Sequence, residues 1–121
     1  MHGICLKMQV HACKDGAAHS WSLLQPAGTF ALTPASKLSA AAVYALSQKG
    51  VLSGKGIDWG CGNGVLSVIA ASAPSVSSIL GLDIEEPNVR AARENGNRNG
   101  SACEFIRADS FSPLEEDVRV F

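Results

Sequence analysis

The sequence predicts an α/β fold: a Rossmann-like parallel sheet with helices on both faces, present as its first three βα units and preceded by an N-terminal β-hairpin. Three short apolar runs, GKGIDWG, SSILGLDI and CEFIRADS, alternate with segments of helical period, the pattern of strands joined by crossover helices. The stretch GIDWGCGNG sets Gly60, Gly62 and Gly64 directly behind the first run. Finally, residues 4–13 alternate Ile4, Leu6, Met8, Val10 and Ala12 with Cys5, Lys7, Gln9, His11 and Cys13, the period of a half-buried strand.

The hairpin follows from that first strand. Asp15-Gly16 in KDGAA is a turn signal and HSWSLL is the returning strand. Residues 1–27 therefore read as an extension and 28–121 as the main domain. In TFALTPASKLSAAAVYALSQKG, Thr33 is a helix cap, Pro34 the first helical residue and Gly50 the stop. The helix spans about 34 to 49, with Leu38, Ala42, Ala45 and Leu46 as its inward stripe. GKGIDWG is a short buried strand, and Asn63 to Ala71 a helix. SSILGLDI is the second strand, and Pro87 opens a helix that ends before Gly100. Glu85 and Glu86 are its capping acids. CEFIRADS is the third strand.

Composition narrows the classes. The 121 residues are 46% hydrophobic and 17% charged with a net charge of -1, which suits one globular domain. Scattered lysines and arginines form no basic stripe for a nucleic-acid backbone. Cys5, Cys13, Cys61 and Cys103 form no C-x-x-C pair, so neither a zinc site nor a disulfide framework is expected. No apolar run approaches the roughly 20 residues of a membrane span, and Lys7 and Gln9 interrupt any signal-like core. The expectation is a cytoplasmic, reducing environment.

Each glycine costs conformational entropy, so three in alternate places need a reason. A strand feeding a helix through such a turn sets main-chain groups against a ligand at the strand's carboxyl end. Asp58 stands just ahead of the turn, and Asp83 lies 19 residues past Gly64 at the end of the second strand, where an acid accepts from ribose hydroxyls. Asp109 ends the third strand. Three strand ends with acids on one rim suit a nucleoside ligand that carries an ammonium and an exocyclic amine.

On these residues the chain resembles the N-terminal half of a class I S-adenosylmethionine-dependent methyltransferase. GIDWGCGNGVLSVIA is similar to the family's first motif, Asp-x-Gly-x-Gly-x-Gly; GLDIEEPNVRAARENGNRNG is similar to the second and FIRADSF to the third. The resemblance covers about residues 28 to 111. It implies S-adenosyl-L-methionine as cofactor, with Asp58, Gly60, Cys61 and Gly62 around the methionine moiety, the Cys61 carbonyl near its amino group, and Gly64 also among the cofactor-binding residues. Asp83 would hold the ribose hydroxyls, Ile84 would pack on adenine, and Asp109 and Ser110 would meet the adenine amine and ring. The patterns GxFxLTPxS and A-x-x-x-N-x-x-x-N, the latter at Ala91, Asn95 and Asn99, are similar to the branch that methylates nitrogen on ribosomal RNA bases or on release-factor glutamine. Phe30 and Thr33 would then line the cofactor's entrance.

That branch holds its substrate amine with an Asn-Pro-Pro-aromatic motif after a fourth strand, and this sequence contains no Asn-Pro dipeptide. The catalytic residues are therefore unknown, and the expectation is a fragment of a longer enzyme, inactive alone, or self-association along an exposed first strand. The methyl acceptor would be RNA or protein, without a membrane partner. Two alternatives share some of these residues. A non-catalytic cofactor-binding domain would also keep every recognised residue. A nicotinamide-dependent oxidoreductase would use G-x-G-x-x-G, but here the third glycine comes one place early and Val65 takes the expected position.

Overall fold

The computed structural model describes residues 3–11, 18–26 and 34–110. β1 (Gly3–His11) and β2 (Ala18–Pro26) form an antiparallel pair in register from Gly3 opposite Pro26 to His11 opposite Ala18. The two strands of the expected hairpin are thus present, while the Asp15-Gly16 turn lies outside the described residues. On β2, Trp21 and Leu23 are buried, and they join Ala40, Tyr44, Val65, Val68 and Ile69 in one apolar cluster. Trp21 meets Tyr44 edge to face with ring centroids 5.5 Å apart, a geometry worth about 0.5–1.5 kcal/mol beyond area burial.

α1 (Pro34–Gln48) begins at the expected proline, while Thr33 lies outside the described residues. Its inward face is not the predicted one. Ala40, Tyr44 and Ser47 are buried, whereas Leu38 is 73% and Leu46 40% exposed, and Ala42 and Ala45 are exposed. An alanine-rich helix offers apolar positions on more than one side, and the partner decides: Tyr44 gains the ring contact with Trp21, and the Ser47 hydroxyl is satisfied by the Val43 carbonyl at 2.8 Å. The helix closes with Val51 N–H on the Leu46 carbonyl and Gly50 N–H on that of Ser47, both at 3.1 Å, a Schellman termination.

β3 (Gly54–Trp59), β4 (Val76–Asp83) and β5 (Cys103–Arg107) form a parallel sheet in the order β3-β4-β5. α2 (Val65–Ala71) and α3 (Glu86–Arg98) are the crossovers. α2 starts later than expected because Asn63 and Gly64 belong to the turn before it. Both helices pack on the sheet face that bears Gly81 and Phe105, where Cys61, Val89, Ala92 and Phe105 form a second buried cluster. Gly81 is required there by proximity, since a Cβ on it would run into the Phe105 ring.

By composition β3 reads as buried, but the structure agrees with the other expectation, that of an exposed edge. Among the described residues it pairs only with β4, and Ile57 and Trp59 are 40% and 47% exposed. An apolar strand is buried on both faces only when neighbours cover it, and here β3 forms the margin of the described sheet.

The asparagines at Asn95 and Asn99 tie these layers together. Asn99 accepts from the Ser22 N–H at 3.1 Å and donates to the Ser22 carbonyl at 2.9 Å, reading β2 as a neighbouring strand would. Fully buried Asn95 donates to the Asn63 carbonyl in the glycine turn at 2.9 Å.

Replacing Gly81 by alanine should cost about 1–3 kcal/mol, since the added methyl overpacks a filled core. In Gly81→Ala/Phe105→Leu the loss should be smaller than the sum of the two single losses, as read from urea unfolding; strict additivity would mean that the ring does not set the constraint.

Candidate functional site

The loop between β3 and α2 shows what the three glycines do. Gly60, Gly62 and Gly64 have φ of 71°, 56° and 84°, the left-handed region that side-chain-bearing residues avoid. Three such residues in alternate places fold the chain tightly enough for one turn to reach two anchors. Gly60 and Cys61 N–H donate to the Leu82 carbonyl at 2.7 and 2.9 Å, and Gly62 N–H donates to Asp83 Oδ2 at 2.9 Å. Gly64 faces away from the rim: a Cβ there would meet Ala92 and Phe105 at 3.0 Å.

Asp83 is the hub on the β4 side. Besides Gly62 it accepts through Oδ1 from Glu85 N–H at 2.9 Å and from Asn88 Nδ2 at 3.2 Å. The expected capping by Glu85 is thereby corrected, while Glu86 does stand in the first turn of α3. Glu85 occupies the cap position with no side-chain cap bond, and its own N–H is held by Asp83.

Asp58, at the end of β3, accepts from the Ser67 hydroxyl at 2.6 Å and from the Ser67 main chain. Burial pushes its carboxyl above the usual 3.8, the two Ser67 bonds work against that, and the neighbouring Asp83 charge adds to it. Burial also pushes the Cys61 thiol up to about 12, with Asp58 and Asp83 contributing. Only the thiolate is a good nucleophile; the Cys61 main chain is engaged in the turn, its N–H on the Leu82 carbonyl and its carbonyl accepting Gly64 N–H at 2.9 Å.

Two adjoining hollows open on this rim. The larger, about 640 Å³, is lined by Asp58, Gly60, Cys61, Gly62, Asp83 and Ile84, together with Ala35, Ser36 and Ser39 of α1, Asn63, Val65, Leu66, Glu85 and Asn88. The smaller, about 270 Å³, is lined by Trp59, Gly60, Leu82, Asp83, Ile84, Ala108 and Asp109. Gly60, Asp83 and Ile84 belong to both, and Ile84 is 55% exposed. Ser110 is exposed and lines neither, and Phe30 and Thr33 lie outside the described residues. Sequence reasoning missed Ser67, Asn88 and the α1 serines. Ser67 is nine residues past Asp58 and Asn88 five past Asp83, spacings that identify neighbours only once the turns are known.

A further hollow of about 270 Å³ lies beside β3, lined mainly by apolar residues such as Val43, Leu52, Leu66, Ala70, Val76 and Ile79, with Asp58 and Ser67 on its wall. It shares Asp58 and Leu66 with the larger rim hollow but includes neither Asp83 nor Asp109. Among the described residues no helix is long and apolar enough to cross a membrane, and no group of three or more His, Cys, Asp or Glu could hold a metal ion.

The family pattern described as methyltransferase small domain matches residues 20–120. The chain belongs to that family. A ribosomal protein L11 methyltransferase of Aeromonas hydrophila is 38% identical over 67 residues, covering 53% of this chain and 23% of the relative. One of Dechloromonas aromatica is 44% identical over 66 residues, covering 53% and 21%. The chain thus spans less than a quarter of the length of these curated relatives. Among solved structures, the Pyrococcus abyssi tRNA (uracil-54, C5)-methyltransferase in complex with S-adenosyl-L-homocysteine matches with a TM-score of 0.59 and 22% identity, over 84% of this chain and 24% of its own; at that identity the match supports the fold.

Asp58 gives a pH prediction with a definite sign. Its folded value is raised, so the folded chain holds the proton more tightly, and this contribution to stability is full below 3.8 and is lost as the pH rises through the raised value. Asp58→Asn does not titrate, so urea unfolding should show its stability relative to the parent improving from pH 3 to pH 7. A difference that is constant or reversed would contradict the burial argument.

Proposed function

We propose that the chain is the S-adenosylmethionine-binding part of a methyltransferase that acts on a nitrogen of RNA or protein, and that it works in the cytoplasm. The observation that carries this reading is the convergence of Asp58, Asp83, Ile84 and Asp109 around two hollows that share Gly60, Asp83 and Ile84. The ribosomal protein L11 methyltransferases among its relatives favour a macromolecular acceptor.

The residues fit the cofactor. Asp58 is a half-buried carboxylate whose ionisation burial disfavours, and an ammonium beside it would restore the charge that desolvation opposes. Asp83 accepts three hydrogen bonds of the roughly four that a carboxylate can take, which leaves capacity for about one hydroxyl. Ile84 is an exposed apolar surface at the meeting of the hollows, suited to a flat aromatic ring. Asp109 stands at the outer end, where it would accept from an exocyclic amine.

When bound, the cofactor supplies an electrophilic methyl group on sulfonium sulfur for direct in-line displacement by a substrate nitrogen. What the chain contributes is placement. The glycine turn allows close approach, Asp58 and Asp83 fix the two ends, and α1 walls the larger hollow with Ser36 and Ser39. No protein nucleophile takes part, in keeping with the raised Cys61 thiol.

In the same reading residues 1–27 are an extension and 28–121 the cofactor-binding domain, the extension docking through Trp21, Leu23 and the Asn99 clamp on Ser22. The margin strand β3, with Ile57 and Trp59 exposed, is where the chain would pair with a second copy. Sedimentation of the chain should then reveal dimers whose population falls in Trp59→Lys; a monomer at every concentration would remove the self-association.

Calorimetric titration with S-adenosylhomocysteine, with NADH in parallel, tests the cofactor. Saturable binding of the first alone is expected, and Asp83→Ala should weaken it by roughly 1–3 kcal/mol, since ligand hydroxyls and the Gly62 amide both lose their acceptor. Binding of NADH, or of neither, would overturn the reading.

A further inference from the structure

The exit of β4 carries the apolar surface of the site, and it is held from several sides. The Asp83 carboxylate receives Gly62 and Glu85 N–H, each at 2.9 Å, and the Asp83 main-chain carbonyl receives Ala108 N–H at 3.0 Å. The next carbonyl, that of Ile84, accepts from Arg107 Nε at 3.0 Å. Arg107 lies opposite Asp83 in the β4–β5 register, so its side chain reaches one residue further along the neighbouring strand.

Ile84 has an exposed side chain that lines both hollows. A side chain with so little packing around it takes its position from its main chain. The Ile84 peptide is fixed on one side by the Asp83 contacts and on the other by Arg107.

We propose that Arg107 is a positioning residue for the adenine end of the ligand: its Nε bond to the Ile84 carbonyl sets where the Ile84 side chain stands between the two hollows. The inference rests on the cofactor reading above, and it assigns a role to a residue outside all three sequence motifs' acids and glycines. The guanidinium acts through its Nε rather than through its charge, and that distinction makes it testable.

Two variants separate hydrogen bond from charge. Arg107→Met keeps a long side chain and removes the donor. Arg107→Gln removes the charge, yet its Nε2 stands the same number of bonds from the backbone as arginine Nε and can donate in its place. Arg107 is exposed, so both variants should unfold at the parent's temperature. In calorimetry with S-adenosylhomocysteine, Arg107→Met should bind about three- to tenfold more weakly, and Arg107→Gln should return to within about twofold of the parent. Amide exchange at Glu85 should accelerate in the methionine variant and not in the glutamine one. Parent-like affinity in Arg107→Met, or equal weakness in both variants, would overturn the inference. If the parent itself bound nothing while Glu85 exchange still separated the two variants, the cofactor reading would fall and the hold of Arg107 on the turn would be supported.

Discussion

The hydrogen bond from Gly62 N–H to the Asp83 carboxylate joins the exits of two neighbouring strands, and the geometry of the rim depends on it. Parallel pairing brings β3 and β4 side by side, but their carboxyl ends lead into different helices and would otherwise be free to diverge. With the turn closed on Leu82 and Asp83, the β3 exit is carried over the β4 exit. Asp83 then stands close enough to weigh on the Asp58 carboxyl, and both acids on the Cys61 thiol. The backbone conformation that permits this closure is available at little cost only to glycine, which is why the sequence spends three of them within five residues.

That closure leaves two carboxylates partly desolvated at one end of a small sheet, an arrangement unfavourable to the folded chain by itself. Stability is gathered elsewhere. Trp21, Leu23 and Tyr44 join the hairpin to α1 and α2, while Phe105 fills the space left by Gly81 and Gly64 under α3. Buried Asn95 spans the gap between α3 and the turn, holding the Asn63 carbonyl so that the loop is supported from behind. An ammonium near Asp58 and hydroxyls near Asp83 would offset the cost of burying those carboxylates, so binding and stability should rise together.

Much of this was legible in the sequence because the relevant signals are local. Alternation marked the first strand of the hairpin and the Asp15-Gly16 signal its return, proline and glycine marked the ends of α1 and α3, and Asp58, Gly60, Gly62 and Asp83 fall on the rim as the strand-turn-helix pattern requires. The failures are cases in which a distant neighbour decided. The stripe Leu38, Ala42, Ala45 and Leu46 fits helical period as well as Ala40, Tyr44 and Ser47 do, and only the presence of Trp21 selects between them. β3 reads as buried by composition, and only the reading of what lies beside it, an unpaired edge, agrees with its exposure. Glu85 looked like a cap because acids favour helix beginnings, whereas it is Asp83 that holds the amide of the cap residue, Glu85, from the strand end while serving the glycine turn. Arg107 lies within the FIRADSF stretch, yet nothing there signalled its role, since its bond runs to a main-chain carbonyl 23 residues away.

The central claim is that the ligand sits on the rim organised by Gly62 and Asp83, and amide chemical shifts recorded while S-adenosylhomocysteine is titrated into the labelled chain test it most directly. The account predicts saturable changes confined to Gly60–Gly64, Asp83–Glu85 and Ala108–Ser110, with the Gly62 amide among the largest. Changes centred instead on Leu52, Ala70 and Val76, around the apolar hollow beside β3, or no change at saturating ligand, would contradict it.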